Sequence, residues 1–225
     1  MPVFLNNQKG YIMEELVKRL YKVEGGKFHY NDTEYDITSP AGVYKYKNRR
    51  YDLWSYVDML AFDNGINKPT NEWGKEELDI INNLLKNDED VAITVFNLEV
   101  EAYEDMNKYL RIHLFHPELR YLVFNLYSNS HVGLWKAVQY AIRQMILNNE
   151  LMYDIKQASI IDGKFGRKTA NALKVIKTLN IDKQIIFKNY ILDGMWEYYR
   201  MLAKNMQYSK YLKGWSHRID NLRKV

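Results

Sequence analysis

The sequence predicts a mainly α-helical protein of the α+β class, in which long helices accompany one short loop-and-hairpin region. Apolar residues recur at helical spacing along most of the chain, as in the stripe Leu78, Ile81 and Leu84, and this spacing predicts helices with one buried face. Residues 25–48 are instead rich in Tyr, Thr, Asp and Gly, with one alternating stretch, Val43–Tyr46, that is typical of a short strand. With 225 residues, 47% of them hydrophobic, the chain is long enough for one sizeable core, or for a core with a smaller second unit.

The first predicted helix runs from about Gln8 to Glu24 and carries the apolar stripe Ile12, Met13, Leu16, Val17, Leu20 and Val23. Glu24 follows Leu20 by four residues, so it continues this stripe. Gly25-Gly26 then ends the helix, because glycine adopts the left-handed C-cap conformation at little cost. We expect desolvation to raise the pKa of this carboxyl, which suits a general acid near neutral pH. The alternative is a helix that ends in a solvated glutamate.

Further helices are predicted from Tyr51 onward, each by an apolar stripe and a local start signal. Asp88 or Asp90 caps one of them, and Pro117 opens another. The last two are expected over roughly residues 185–205 and 208–222.

The residue composition excludes several kinds of chemical site. The chain has no cysteine, which excludes disulfides, thiolate metal sites and a cysteine nucleophile. Its net charge of +4 favours contact with anionic surfaces, but basic residues form no block beyond pairs such as Arg49-Arg50, so no nucleic-acid partner is predicted. His113 and His116 lack a third ligand nearby in the sequence, and no glycine-rich phosphate loop is present, so neither a metal nor a cofactor is predicted.

The first helix and the loop after it carry a family resemblance. Glu24-Gly25-Gly26 resembles the Glu-Gly-Gly motif that holds the catalytic glutamate of phage and bacterial N-acetylmuramidases. In that family an Asp-Pro-Gly-Gly-x-Thr-x-x-Gly-Ile loop follows; here Thr38 and Gly42-Val43 stand where the Thr and the Gly-Ile would, and the Asp-Pro-Gly-Gly is missing. The resemblance implies a lysozyme-like, endolysin-like domain over residues 1–150. It would hydrolyse the β-1,4 bond between N-acetylmuramic acid and N-acetylglucosamine, with Glu24 as general acid.

A second carboxyl group is expected, because most glycosidases use two, at a separation that sets the stereochemistry. Asp32, Glu34 and Asp36 are the candidates for the group that activates water. Asp32 is closest to the family's Asp in spacing. Asp36 can share a strand face with Thr38, whose hydroxyl would help to hold the attacking water. Glu34 would share that face too, and only the family pattern argues against it, so we expect Asp32 or Asp36 to act with Glu24 and Thr38.

The middle of the chain carries a second resemblance to the same family. The segment from Phe124 to Gln139 resembles its Phe-Asp-x-x-Val-Asn-x-Gly segment and the helix that follows, with Asn125 in place of the family's Asp. The resemblance implies that Tyr127 and Asn129 bind substrate at the cleft. Alternatively, Asn129 caps a helix or makes a buried hydrogen bond.

The loop from Asp154 to Thr169 is the clearest domain boundary. Its motif Asp162-Gly163-x-x-Gly166-x-x-Thr169 is similar to the turn and helix of peptidoglycan-binding modules. Tyr198-Tyr199-Arg200 and Gly214-Trp215-Ser216-His217-Arg218 resemble the helical module found after this muramidase domain. The resemblance implies a helical peptidoglycan-binding module over residues 151–225, in which Trp215 and Arg218 bind substrate. The alternative is that these two side chains pack between the last helices.

The expected partner is therefore peptidoglycan, bound by a monomer that uses neither nucleic acid nor membrane insertion. No stretch is long enough for a membrane span, and residues 1–7 lack the pattern of a signal peptide. We expect an enzyme made in the cytoplasm that acts on the cell wall, periplasmic or extracellular, after release or non-classical export. Two other classes stay open: a non-catalytic wall-binding protein derived from such an enzyme, and a helical adaptor for an acidic protein or lipid surface.

Overall fold

The computed structural model describes residues 3–30, 37–41, 43, 52–69, 72–154, 158 and 160–224, and for residues 3–11, 30, 37 and 38 it describes the backbone alone. The chain divides into two compact units, Met1–Tyr109 and Leu110–Val225. The described residues are mainly helical, as predicted. The compact units divide well before the predicted domain boundary at residue 150, which stays a prediction about functional domains.

The first unit contains four helices among its described residues: α1 (Val3–Glu24), α2 (Asp52–Asp63), α3 (Lys75–Asn87) and α4 (Glu89–Leu110). The α1 stripe forms part of the core, with Met13, Leu16, Val17 and Leu20 buried. Val23 was predicted to belong to this stripe, but its side chain is 58% exposed, because on a helical wheel it lies at the edge of the stripe. Asp88 caps α4: its carboxylate accepts hydrogen bonds from the backbone amides of Asp90 and Val91.

A small hairpin follows α1. Strand β1 (His29–Tyr30) pairs antiparallel with strand β2 (Ile37–Thr38). The sequence placed a strand later, at Val43–Tyr46; Val43 lies outside both of these strands, and residues 44–46 lie outside the described residues. Two-residue strands carry too little alternation to be recognised from sequence, since their pairing rests on contacts with other elements.

The second unit contains α5 (Arg120–Asn129), α6 (His131–Leu147), α7 (Arg167–Ile176), α8 (Ile181–Ala203), the short α9 (Met206–Ser209) and α10 (Leu212–Lys224). Helices α6 and α8 form its centre, because each buries a long apolar face that includes Leu134, Val138 and Ile142 from α6 and Phe187, Ile191 and Met195 from α8. The predicted start at Pro117 is a short 3-10 turn, Pro117–Leu119, that leads into α5. No helix within the described residues is long and apolar enough to cross a membrane.

Candidate functional site

Glu24 is the last residue of α1, as predicted, and its side chain is partly exposed. Gly25 and Gly26 follow with φ of 84° and 62°, left-handed values that residues with a Cβ rarely adopt. The chain therefore reverses immediately after the glutamate. The Nε2 of His29 donates a hydrogen bond of 2.8 Å to the Glu24 backbone carbonyl, which satisfies one of the acceptors that a helix end leaves open.

The hairpin brings a second predicted catalytic residue to the same place. His29 pairs with Thr38 across the two strands, so the Thr38 backbone lies beside the residue that binds the end of α1. Asp32 and Asp36 belong to residues 31–36, outside the described residues, as does the side chain of Thr38. Their catalytic roles, and that of Glu24, stay predictions.

A side-chain amide of α3 fixes the start of the hairpin. Asn82 accepts a hydrogen bond of 2.7 Å from the backbone amide of Phe28 and donates one of 3.1 Å to its carbonyl. This pair of bonds imitates the way a neighbouring strand would bind the backbone. The Phe28 ring packs edge-on against Trp54 of α2, with ring centroids 6.1 Å apart. The residue before β1 is thus held by two helices.

A buried carboxyl of α4 fixes the chain after the hairpin. The side chain of Glu99 is 0% exposed, and its Oε1 accepts a hydrogen bond of 2.8 Å from the backbone amide of Ala41. One helical turn further on, the hydroxyl of Tyr103 donates a hydrogen bond of 2.7 Å to the Ala41 carbonyl. Both polar groups of one buried residue are therefore bound by side chains of the same helix.

Burial alters the ionisation of the Glu99 carboxyl. Desolvation raises its pKa to about 7, although polar contacts with Ser39, Tyr21 and the Ala41 amide act in the opposite direction. Desolvation, together with the charge of Glu99, also raises the pKa of Tyr21 well above its usual range. The sequence analysis missed Glu99. A signal was present, because Glu99 follows Val95 by four residues and so lies on the apolar stripe of its helix.

In the second unit, Asn125 and Asn129 make hydrogen bonds within the protein. Asn125 is 1% exposed, and its Oδ1 accepts a hydrogen bond of 3.4 Å from Nη1 of Arg218. Asn129 is half-buried, and its Nδ2 donates a hydrogen bond of 2.8 Å to the Asn125 backbone carbonyl. Tyr127 is partly exposed, with its ring 6.2 Å from that of His131. Substrate contact by Tyr127 and Asn129 stays a prediction.

Trp215 joins α10 to α8 through aromatic packing. Its ring stacks on that of buried Tyr199, with centroids 4.7 Å apart and an interplanar angle of 14°. Tyr211 lies against it with a centroid distance of 5.8 Å. These contacts agree with the packing alternative for Trp215, and Arg218 likewise contacts Asn125. A direct sugar contact by either residue stays a prediction.

We expect Trp215→Leu to lower the free energy of unfolding of the second unit by about 1–2 kcal/mol, because the stacked contact with Tyr199 is lost. Denaturation followed by near-ultraviolet circular dichroism would measure it. Trp196→Leu is a matched control, because this tryptophan lies on α8 and its ring faces the Arg200 guanidinium, which is 5.9 Å from the ring centroid. Unchanged stability with lost peptidoglycan binding would instead place Trp215 at the sugar.

A single glutamine of α6 organises the turn that the sequence singled out. Gln139 is 0% exposed. Its Nε2 donates to Oδ1 of Asp162 at 2.8 Å and to the carbonyl of Lys164 at 2.9 Å. Its Oε1 accepts from the backbone amides of Asp162 at 3.0 Å and Gly163 at 2.9 Å. All the hydrogen-bonding capacity of this buried amide is thus used to bind one turn.

Gly163 is required in that turn for two reasons. Its φ is 76°, a conformation that favours glycine. A Cβ there would also lie 2.9 Å from Cγ1 and 3.1 Å from the backbone oxygen of Val132. Phe165, two residues on, packs against Trp135 of α6 with ring centroids 4.7 Å apart. The turn is therefore seated on α6 by both polar and aromatic contacts.

The second unit thus defines a helical domain whose turn before α7 and terminal aromatic cluster are both fixed to its central helices. Residues 138–220 match the family described as a Predicted Peptidoglycan domain. The match begins in α6 at Val138 and ends in α10 at Asp220, so it includes Gln139, the turn and the aromatic cluster. The predicted peptidoglycan-binding domain in the C-terminal part of the chain is therefore confirmed. Comparison of the chain with curated proteins and with solved structures gave no match.

Proposed function

We propose that the protein is a peptidoglycan hydrolase of the muramidase type, with a lysozyme-like catalytic domain over residues 1–150. The observation that carries the proposal is the peptidoglycan domain at residues 138–220. We expect such a domain to bind the polymer on which enzymes with a Glu-Gly-Gly motif act. The bond broken is the β-1,4 bond between N-acetylmuramic acid and N-acetylglucosamine, and the site of action is the cell wall.

In this proposal Glu24 is the general acid, which donates a proton to the leaving glycosidic oxygen. Two features support the assignment: its side chain is partly exposed at the end of α1, and the hairpin residue His29 binds its backbone. A substrate can therefore reach a carboxyl whose backbone is held in place. Asp32 or Asp36, from the connection between the strands, would activate the attacking water, with Thr38 helping to hold it.

The separation between the two carboxyl groups would decide the stereochemistry. Groups about 6.5–9.5 Å apart leave room for a water molecule and invert the anomeric centre, whereas about 5–5.5 Å implies a covalent intermediate and retention. We favour the wider separation, because acids on the hairpin connection would reach across a cleft from the end of α1.

A second candidate is a peptidoglycan-binding protein without catalytic activity. The missing Asp-Pro-Gly-Gly favours it, and so does Asn125, which stands where the muramidase family has Asp and here accepts a hydrogen bond from Arg218. Both candidates require wall binding, and they differ only in the release of products.

One experiment separates the two. The full chain is incubated with insoluble purified peptidoglycan whose existing reducing ends have been removed with borohydride. The pellet is assayed for bound protein and the products for new reducing ends. We expect both binding and new reducing ends on N-acetylmuramic acid, identified by a second borohydride reduction and mass spectrometry. Binding without new ends would support the non-catalytic candidate, and no binding would contradict both.

A further inference from the structure

The chain that follows Thr38 enters the core of the first unit as a closed loop. The backbone amide of Ser39 donates to the carbonyl of Val43 at 3.0 Å, and the amide of Val43 donates to the Ser39 hydroxyl at 2.8 Å. Ser39 and Ala41 are both 0% exposed. We call the residues Ser39, Pro40, Ala41 and Val43 the buried loop.

Two side chains of α4 bind the buried loop at its centre. Glu99 accepts from the Ala41 amide at 2.8 Å, and Tyr103 donates to the Ala41 carbonyl at 2.7 Å. Burying a carboxyl costs free energy unless hydrogen bonds inside the protein compensate for the lost water. An apolar side chain at position 99 would extend the stripe of α4 but would leave the Ala41 amide without its acceptor. The presence of glutamate at position 99 is therefore explained by its hydrogen bond to the buried loop.

The buried loop leads directly into the candidate active site. Thr38 precedes Ser39 in the chain and pairs with His29, which binds the last carbonyl of α1 at Glu24. Ala41 follows Thr38 by three positions, a distance of at most about 10 Å along an extended chain. A displacement of Ala41 is therefore transmitted to the strand that carries Thr38.

We propose that Glu99 is a positioning residue, which with Tyr103 fixes the buried loop and so sets the position of the Thr38 backbone beside His29, the residue that binds the Glu24 carbonyl. The catalytic part of this inference rests on the proposed function, whereas the fixing of the loop does not.

The same arrangement makes the loop sensitive to pH. The groups that face the Glu99 carboxyl are the Tyr21 hydroxyl from α1, the Ser39 hydroxyl and the Ala41 amide. Because burial raises the pKa of Glu99 from the ordinary value of 4.5 to about 7, the folded state favours the protonated acid. Protonated Glu99 therefore contributes to the stability of the folded state. This contribution is complete below pH 4.5 and is lost as the pH rises towards 7. The buried loop should therefore open more readily at pH 8 than at pH 5.

Hydrogen exchange of the full-length chain tests the fixing of the loop. After correction for the intrinsic pH dependence of exchange, we expect opening of the peptide that spans residues 39–43 to increase at least about tenfold from pH 5 to pH 8. In Glu99→Gln, which keeps an oxygen for the Ala41 amide and cannot ionise, the increase should disappear. Glu101→Gln, an exposed carboxyl on the same helix, is the matched control and should behave as wild type. Equal pH dependence in wild type and Glu99→Gln would overturn the proposal.

Lytic activity tests the positioning role. Tyr103→Phe removes the bond to the Ala41 carbonyl and leaves Glu99 in place; we expect a lower rate of reducing-end release with unchanged peptidoglycan binding. The lytic rate of the wild-type chain should fall between pH 6 and pH 8, and in Glu99→Gln this fall should be smaller. Faster exchange at the loop with an unaltered lytic rate would overturn the positioning role. If the wild-type chain released no reducing ends, the proposed function would fail and Glu99 would only fix the loop.

Discussion

Replacement of Glu24 by glutamine is expected to lower the release of reducing ends from peptidoglycan by at least about 100-fold, because a positioned general acid contributes about 10²–10⁴ in rate. Glutamine keeps the shape of the side chain and removes the acidic proton. The backbone contact from His29 to the residue 24 carbonyl does not involve the side chain, so the turn should persist. Zymography and a reducing-end assay would measure the loss.

The matched control is Glu15→Gln, at a half-exposed carboxyl of the same helix whose Oε1 lies 3.8 Å from Nζ of Lys18. It should retain wild-type activity, because surface ion pairs contribute little. Both variants should bind peptidoglycan equally, since the peptidoglycan domain lies at residues 138–220. Full lytic activity in Glu24→Gln would exclude this residue as the acid.

Local signals predicted the end of α1 well. Met13, Leu16, Val17 and Leu20 of the apolar stripe are buried, and the two glycines after Glu24 adopt the left-handed conformation that ends a helix. Each of these features depends on residues within a few positions of one another, so the sequence contains the whole signal.

The hairpin and the elements that hold it could not be located in the same way. Asn82 binds Phe28, and Glu99 binds Ala41, across 54 and 58 residues of chain. Nothing at residue 28 or 41 marks such a distant partner. The sequence argument that a glutamate on an apolar stripe is desolvated did hold in the first unit, but at Glu99, where the carboxyl is 0% exposed. The same pattern at Glu24 lies at a helix end, where the side chain is partly exposed.

The C-terminal domain shows the same division between local and distant signals. The turn motif at Asp162-Gly163 was recognised because its glycine is part of a short pattern. The side chain that binds the turn is Gln139, which lies 23 residues before Asp162 and 24 residues before Gly163. A glutamine among apolar residues of α6 gives no indication of which backbone groups it will bind.

Replacement of Gln139 by leucine should therefore destabilise the second unit by about 3 kcal/mol, because buried polar groups of the turn lose their partner at a cost of about 1–3 kcal/mol each. The Gly163 amide is the most affected, since Gly163 is buried and its bond of 2.9 Å to Oε1 has no replacement in leucine. Leucine is close to glutamine in size, so the loss of hydrogen bonds, and not a cavity, would account for the effect.

Hydrogen exchange at the Gly163 amide would measure this directly, with an expected acceleration of about 100-fold, the equivalent of roughly 3 kcal/mol. Gln207→Leu, at an exposed position of α9, is the matched control and should change stability by less than about 0.5 kcal/mol. Peptidoglycan binding should fall in Gln139→Leu as the temperature rises, because the turn belongs to the matched domain. Wild-type exchange at Gly163 in Gln139→Leu would mean that the turn holds its conformation without the glutamine, and its stability would then have to come from Phe165 packed on Trp135.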